Sequence, residues 1–315
     1  MPVYFNNSAK PVKVSDTAPS NPKAGDLWYN SAVGKILVYY DGFWVLAPGG
    51  GGTSSGANGG RDLLTSNRTY YVRTDGDNDN DGLANTSDGA WATLQHAWDW
   101  AAANLDIGAY TVTIQVGTGT FAGLNAQSKP NGSMVLVGNT TTPSNVVITP
   151  NAGSCLNFFN QPNSVSLGGF RCALGTATGV VASNSVVSIT GRMEFTGSGG
   201  NARPLMAIYG GQLYIWYGTP VSFDGTFSRG VTAYYQAYCE FYPAITLVAG
   251  TSFSNAFAFA AMNSSIEADH AGITGTATGK RYDVTTNSVI ETFAGGANHL
   301  PGATSGTTAT GGQYV

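Results

Sequence analysis

The sequence is poor in charged residues. Asp, Glu, Lys and Arg make up only 10% of the 315 positions, and the net charge of −4 comes without any basic run. Because a basic patch is the electrostatic signature of nucleic-acid binding, no nucleic-acid partner is expected. Sparse charge can indicate disorder, but 16 Tyr, 14 Phe and 6 Trp supply enough apolar surface for folding.

Cysteine and long apolar runs are also scarce. Cys155, Cys172 and Cys239 are an odd number, widely spaced and without partnered histidines, which argues against a disulfide framework or a zinc site and predicts buried free thiols. No apolar run approaches the roughly 18 residues that span a bilayer, so no membrane insertion is expected. The start, "MPVYFNNSAKPVKV", lacks a signal-peptide core, which predicts synthesis in the cytoplasm without export by that route.

Glycine, by contrast, occurs 43 times, which is typical of an all-β protein with many tight turns. Residues 1–47 predict a small antiparallel β module, because "GDLWYNSAVGKILVYYDGFWVL" holds three short apolar runs and Asp41-Gly42 is a two-residue hairpin signal. This sheet would carry five aromatic residues, Trp28, Tyr29, Tyr39, Tyr40 and Trp44. The Gly/Ser-rich segment 48–60 then predicts a flexible linker.

Residues 61–109 predict a strand, an acidic turn and a single helix. "TYYVRT" (69–74) has strand character, and "DNDNDGLANTSD" (77–88) follows it. The apolar stripe of "WATLQHAWDWAAANL" predicts a helix over 93–105, with Thr93 as its N-cap.

From residue 110 to 294 helical periodicity disappears and short β-rich runs alternate with turns. Apolar anchors in the first strand of each unit recur at intervals of 22, 31, 22, 26, 26, 25 and 23 residues, and the interval of 31 requires an insertion, for which "GNTTTPSNVVITP" is the candidate. The anchors are Ile114, Leu136, Leu167, Ile189, Ile215, Phe241, Ile266 and Val289. A repeat of this length without helices predicts a parallel β-helix of eight coils, about 40 Å long. The helix 93–105 would cover its open end.

The segment "YYVRTDGDNDNDGLANTSDGAWATLQHAWDWAA" resembles the N-terminal cap of pectin-lyase-like right-handed β-helices. "AGDLWYNSAVGKILVYYDGFWVL" resembles small β modules of phage tail fibre and collar proteins. The last 40 residues are similar to the C-termini of β-helical phage tail proteins. The resemblance implies a tail fibre or tailspike-like virion protein, made in the host cytoplasm and usually a homotrimer in such families. Residues 295–315 would be a closing cap or a tail that clasps a neighbouring chain.

The acidic turn has two interpretations. Asp77, Asp79, Asp81 and Asp88 have the oxygen-ligand spacing of a calcium loop, although the usual pattern ends in Glu. Asp, Asn and Gly are also the residues that satisfy their own backbone in turns, and the preceding strand excludes an EF-hand. A metal-free turn is favoured, and calcium is the alternative. No other cofactor is expected.

Catalysis by a β-helix would need carboxylates on one face. The coils offer seven acids: Glu194, Asp224, Glu240, Glu267, Asp269, Asp283 and Glu291. Counted from the anchors, their offsets do not form one row. Glu267, Asp269 and His270 are the nearest cluster, and Arg192 with Glu194 is the next. No Gly-x-Ser-x-Gly or Walker pattern occurs, and no catalytic motif of pectate lyases can be matched. The preferred interpretation is therefore a protein without catalysis.

Aromatic residues are the candidate ligand contacts. "LYIWYGTP" and "AYYQAYCEFYP" place seven of them in adjacent coils: Tyr214, Trp216, Tyr217, Tyr234, Tyr235, Tyr238 and Tyr242. Strand alternation sends about half outward, where their flat faces suit sugar rings or protein partners. Glycan contact, a trimer interface and core packing are all open at this point.

The leading hypothesis is a phage structural protein that recognises a host surface receptor, and a glycan is the expected class of receptor. Residues 1–47 would join it to other virion proteins, and three chains would assemble. Two alternatives are kept: a head fibre or capsid decoration protein, and a polysaccharide depolymerase (a hydrolase or lyase) with a carboxylate pair on the β-helix.

Overall fold

The computed structural model describes residues 12–51 and 61–315. Most of the predicted linker 48–60, and residues 1–11 of the predicted attachment module, lie outside the described residues. The chain divides into two compact units with a boundary at Asp62/Leu63. The predicted fold class is confirmed: an all-β chain with a parallel β-solenoid of about eight turns, a small N-terminal sheet and one helix.

The N-terminal unit is a four-stranded sheet in chain order. Its strands are β1 (Lys13–Ser15), β2 (Leu27–Asn30), β3 (Lys35–Tyr40) and β4 (Phe43–Gly51). β2, β3 and β4 pair antiparallel, whereas β1 adds to β2 in parallel. Asp41 and Gly42 both have positive φ angles (48° and 85°), as a tight two-residue hairpin requires, so the predicted turn is confirmed.

The short strand β5 (Asp62–Leu63) spans the boundary, and the second unit is built mainly from two parallel sheets. Sheet A contains ten strands, which are β6 (Arg68–Val72), β8 (Thr111–Val116), β11 (Ser133–Val137), β14 (Val165–Gly168), β17 (Val186–Ile189), β20 (Gln212–Ile215), β22 (Tyr238–Phe241), β25 (Ser265–Ala268), β29 (Val289–Glu291) and β31 (Gln313–Tyr314). Each strand pairs with the equivalent strand of the next coil, so sheet A forms one continuous wall.

Sheet B forms the remaining walls. Its strands are β9 (Gly119–Ala122), β10 (Leu124–Ala126), β12 (Val146–Thr149), β13 (Ser154–Phe159), β15 (Phe170–Gly175), β16 (Thr178–Ser183), β18 (Met193–Ser198), β19 (Arg203–Ile208), β21 (Pro220–Tyr234), β23 (Ala244–Leu247), β24 (Ser252–Ala261), β26 (Gly272–Thr274), β27 (Thr278–Gly279), β28 (Tyr282–Val284) and β30 (Thr307–Thr308). The 15-residue strand β21 joins two rows, since its first half pairs with β18 and its second half with β19.

Strand alternation explains the core. Along β8 every second residue is buried, and the same alternation recurs in the other strands of sheet A. The inward row on sheet A contains Ile114, Leu136, Leu167, Ile189, Ile215 and Phe241 in register, as predicted.

The last two predicted anchors are wrong. Phe241 pairs with Ala268, 27 positions later, whereas Ile266 pairs with Cys239 and Val289 pairs with Ser265. The error arises because turn lengths vary between coils, so a mean period of 25 does not fix the register of an individual strand.

The helix α1 (Leu94–Asn104) lies beside the first coil and is followed by β7 (Leu105–Asp106). Thr93 is its N-cap and accepts a hydrogen bond from the His96 N–H. The buried face of α1 joins the solenoid core, and the Trp98 ring meets Phe158 edge-on at 5.6 Å. The helix therefore covers apolar surface that the first coil would otherwise expose.

Other features fit the repeat. The predicted insertion is the connection 138–145 between β11 and β12, which includes a 3₁₀ helix, Pro143–Asn145. The tail continues both sheets on its own chain, because β30 pairs with β28 and β31 with β29.

The three cysteines are buried and free, as predicted. Within residues 12–51 and 61–315, no helix has the length and apolar character needed to cross a bilayer.

Candidate functional site: a strip of tyrosines and glutamates

The structure separates the seven predicted aromatic contacts into three groups. Tyr214, Tyr238 and Tyr242 lie half-buried on the outer face of sheet A. Trp216 and Tyr217 occupy the exposed turn after β20. The third group, Tyr234 with Tyr235, lies at the end of β21, where the chain turns from sheet B to sheet A. None of the seven is fully buried, so the core interpretation fails for this set.

The outer face of sheet A carries a row of residues that stack from coil to coil. Tyr214 pairs with Glu240, Glu240 with Glu267, and Glu267 with Glu291. Adjacent parallel strands lie about 4.8 Å apart, so successive carboxylates are close neighbours. The predicted absence of an acidic row is therefore wrong. It followed from the misplaced anchor Ile266, which put Glu267 two positions out of register.

Tyrosine side chains surround these carboxylates. The Tyr242 hydroxyl donates a hydrogen bond to Glu267 Oε2 at 2.8 Å. The rings of Tyr214 and Tyr238 meet edge-on, with centroids 5.7 Å apart. We call these residues the Tyr–Glu strip: Tyr214, Tyr238, Glu240, Tyr242 and Glu267. Glu291 and Phe293 extend the strip, although the sequence did not indicate either as part of a binding surface. The ring centroid of Phe293 lies 6.0 Å from that of Tyr242.

The electrostatics of the strip disfavour negative charge. Burial, and then the neighbouring Glu267 charge, raise the pKa of Glu240 above its ordinary value. Burial followed by a hydrogen bond with Glu267 raises the pKa of Tyr238 and of Tyr242. Both phenols are therefore neutral donors at physiological pH. The strip offers hydroxyl donors and carboxylate acceptors side by side, which is the chemistry that recognises sugar hydroxyls.

Replacing Glu240 with glutamine is expected to stabilise the protein at neutral pH, because it removes a carboxylate that burial and Glu267 penalise. A group whose pKa is higher in the folded than in the unfolded protein contributes stability that is fully present below its unfolded-state pKa. That contribution is lost as the pH rises through its folded-state pKa. The gain should therefore be small near pH 4 and reach up to about 1 kcal/mol at pH 7–8, as for other partly exposed charge pairs.

Thermal unfolding of wild type and Glu240→Gln between pH 4 and 8 measures this difference. Asp224→Asn is the matched control, since Asp224 is an exposed acid on β21. A Glu240→Gln protein that is less stable than wild type at pH 8 would contradict the assignment.

The predicted cluster of Glu267, Asp269 and His270 is divided in the structure. Glu267 turns towards the tyrosines, whereas Asp269 Oδ1 accepts the His270 backbone N–H at 2.7 Å. His270 stacks on His299, a residue that the sequence did not indicate, with ring centroids 4.3 Å apart. Burial, and then the His270 charge, lower the pKa of His299, so its 3.5 Å contact with Asp269 is not an ion pair at neutral pH.

The turn after β20 continues the strip into solvent. Trp216 is 55% exposed and Tyr217 is 69% exposed. The Gly218 N–H donates to the Tyr242 carbonyl at 2.9 Å, so this turn lies directly against the end of the strip. Large exposed rings beside half-buried polar groups are typical of ligand-binding surfaces.

Comparison with protein-family models, curated proteins and solved structures finds no match for this chain. Its fold and surface chemistry therefore carry the functional argument.

The second predicted ion cluster has a structural role. Glu194 is 9% exposed, and Arg171 donates to its Oε2 through Nε and Nη2 at 2.9 and 2.7 Å. Arg192 lies 3.6 Å from the other oxygen. Both oxygens of Glu194 therefore face neighbouring guanidinium groups.

The acidic turn 77–88 folds around the buried side chain of Trp91. Asp77 Oδ1 accepts the Asp79 N–H at 3.0 Å and Asp81 Oδ1 accepts the Leu83 N–H at 2.9 Å, which are hydrogen bonds of Asx turns. Asp88 Oδ1 accepts the Ser87 hydroxyl at 3.2 Å. In the described part of the chain, no group of three or more His, Cys, Asp or Glu residues is arranged to hold a metal ion.

Proposed function

We propose that this chain is a glycan-recognition protein of the phage tail fibre or tailspike type and that the Tyr–Glu strip is its binding surface. The observation that carries the proposal is the position of the exposed Trp216 and Tyr217 rings beside the strip. Aromatic rings bind the apolar faces of sugars, and the phenols and carboxylates bind their hydroxyls. A parallel β-helix supplies the rigid surface on which these groups repeat from coil to coil.

The attachment role of residues 1–47 belongs to the same proposal. The described part of that sheet exposes large apolar side chains, including Phe43 at 73% and Tyr40 at 69%. A sheet this small needs further packing for stability, which other virion proteins or two more copies of the chain would provide. A homotrimer within a virion is therefore the assembly that we propose.

Replacing Trp216 and Tyr217 together with alanine is expected to weaken binding of the host polysaccharide 10-fold or more, because stacked aromatic residues are frequent hot spots of binding. Binding of the wild-type protein is first measured on a panel of bacterial capsular and lipopolysaccharide glycans. The affinity of wild type and variant is then determined for the glycans that wild type binds. Tyr110→Ala is the matched control, since Tyr110 is an exposed aromatic residue outside the strip. Wild-type affinity in the double variant would move the binding site away from the strip.

A second function, polysaccharide hydrolysis, is favoured by one specific observation. Glu240 and Glu267 stack on adjacent coils, and Glu240 has a raised pKa, as a general acid requires. The strand spacing of about 4.8 Å is near the carboxyl separation of about 5–5.5 Å in retaining glycosidases. Reducing ends released from the retained glycans by wild type, but not by Glu267→Gln, would make the strip catalytic. Binding without release would leave recognition as the function.

A further inference from the structure

Two arginines of neighbouring strands in sheet B, Arg203 and Arg229, line one cavity away from the Tyr–Glu strip. Leu205 of β19 pairs with Val231 of β21, which places Arg203 and Arg229 at the same level two positions earlier. Adjacent strands put the two backbone positions about 4.8 Å apart. Like charges this close repel each other unless an opposite charge lies between or beside them.

No protein group neutralises this pair. In the described ranges, neither guanidinium group forms a hydrogen bond or an ion pair, and the Nε atoms of both are buried without a partner. Asp283, an acid whose field acts on Arg229, is engaged elsewhere: it lies 3.7 Å from Lys280 Nζ and accepts the Thr307 hydroxyl at 2.9 Å. The two guanidinium groups therefore retain unused donors.

A third polar group points to the same place. Thr232 is 1% exposed, and its buried Oγ1 also lacks a hydrogen-bond partner. Buried polar atoms are almost always satisfied, and leaving one unpaired costs about 1–3 kcal/mol. Three groups with unused hydrogen-bonding capacity therefore line one cavity.

The cavity that these groups line has a volume of about 310 Å³. Its remaining walls are apolar or aromatic, and Phe259 covers one face of the Arg229 guanidinium, with Cζ 3.4 Å from the ring centroid. We call this site the arginine groove; its lining residues are Arg203, Met206, Ile208, Arg229, Thr232, Tyr234, Tyr235 and Phe259. The volume is at the lower end of the range for small-molecule sites, about 300–1,000 Å³, and fits a ligand of monosaccharide size.

The charge state of the groove favours an anion. Burial, and then the neighbouring Arg203 charge, lower the pKa of Arg229 to about 10, so the Arg229 side chain remains charged at neutral pH. An oxyanion would relieve their repulsion and accept from both guanidinium groups.

The aromatic corner beside the groove supports a sugar as the carrier of that anion. Tyr209 and Tyr235 both have positive φ angles (53° and 57°), a conformation that bulky residues rarely adopt. Their rings stack with centroids 4.9 Å apart, and Tyr209 is 56% exposed. An exposed ring stack adjoining an oxyanion site would present a flat surface to a sugar ring.

We propose that the arginine groove binds the oxyanion of an acidic sugar: a carboxylate, sulfate or phosphate held by Arg203 and Arg229. The Thr232 hydroxyl supplies an additional hydrogen bond, and Phe259, Tyr234 and Tyr235 contact the sugar ring. The identity of the carrier as a sugar rests on the proposed glycan-recognition function, whereas binding of the oxyanion does not. The groove is a second site, on a different wall from the Tyr–Glu strip.

Calorimetric titration of the full chain at low ionic strength tests the proposal with four probes: glucuronate, glucose 6-sulfate, glucose 6-phosphate and uncharged glucose. We expect at least one acid to bind and glucose not to bind, with an affinity that falls as salt is added. Arg229→Gln is expected to lower the affinity for the acid 10-fold or more. The double variant, which also carries Arg203→Gln, is expected to show no binding. Arg73→Gln is the matched control, since Arg73 is paired with Asp75 on the surface.

Arg229→Lys tests the geometry separately from the charge. Lysine keeps the charge but loses the planar fork, so an intermediate affinity is expected. It also serves if Arg229→Gln does not fold, which circular dichroism would show. The proposal is overturned if none of the acids binds at millimolar concentration, or if the arginine variants bind as tightly as wild type. A chain that binds these acids but retains no glycan in the panel would refute the Tyr–Glu strip and leave the groove intact.

Discussion

Replacing Trp91 with alanine is expected to lower the free energy of unfolding of the β-helix by about 3–5 kcal/mol. Trp91 is fully buried, and its ring stacks on Tyr70 with centroids 4.9 Å apart. Its indole N–H donates to the Asn80 carbonyl at 2.7 Å, and its backbone forms a bridge to Val72 at the edge of sheet A. The substitution would leave a large cavity beneath the acidic turn and loosen the edge that the cap protects.

Urea unfolding followed by circular dichroism measures this loss, with Leu83→Ala as the control because Leu83 is an exposed residue of the same turn. Gly82→Ala provides an independent test of the packing. Gly82 has φ +74°, and a Cβ there would lie 2.7 Å from Cδ2 of Trp91, so alanine should also destabilise the cap. A loss below about 1 kcal/mol for Trp91→Ala would show that the turn does not depend on this ring.

The same measurement distinguishes the two interpretations of the acidic turn. If Asx turns and Trp91 organise it, a chelator will leave the unfolding midpoint of wild type unchanged. If calcium binds there, the midpoint will rise with calcium concentration, as mass action requires. Asp79→Asn would then remove that dependence.

Replacing Phe223 with alanine is also expected to lower the free energy of unfolding by about 3–5 kcal/mol, and to disturb both candidate sites. Phe223 is fully buried in β21, with four phenylalanine rings at centroid distances of 5.8–6.0 Å. Those rings belong to Phe195, Phe227, Phe253 and Phe257. The strand that holds Phe223 also carries Arg229, and Phe257 in turn packs against Phe241 on the inner face of sheet A.

Equilibrium unfolding in denaturant measures the loss of stability, and glycan and glucuronate titrations of the folded variant measure the effect on the two sites. Phe159→Ala is the control, because Phe159 is 42% exposed and its removal should change stability by no more than about 0.5 kcal/mol. Equal stability of the two variants would contradict a phenylalanine core at this level of the solenoid.

Much of the architecture follows from local sequence. Asp41-Gly42 permits the positive φ angles of a tight hairpin, so the turn of the N-terminal sheet was predictable. Thr93 followed by an apolar stripe of period 3.6 located the helix to within one residue at each end. Six apolar anchors, from Ile114 to Phe241, lie in register because inward residues of a β-helix must stack to bury their surface.

The candidate sites depended on information that local sequence lacks. The row of Glu240, Glu267 and Glu291 escaped detection because one coil has 27 residues, and only hydrogen bonding between strands fixes which residues face each other. Arg203 and Arg229 were overlooked for a related reason, since neither belongs to a motif and they become neighbours only between coils.

The sequence by itself thus determined a repetitive all-β chain with a capping helix and a separate N-terminal sheet, because turn chemistry and side-chain periodicity act over a few residues. Only the tertiary structure decided which polar side chains became neighbours. In a solenoid, residues more than 20 positions apart meet across a strand spacing of about 4.8 Å, and a shift of one or two residues moves a side chain to another row or another face. The surface chemistry of this protein is consequently set by the length of each coil as much as by its composition.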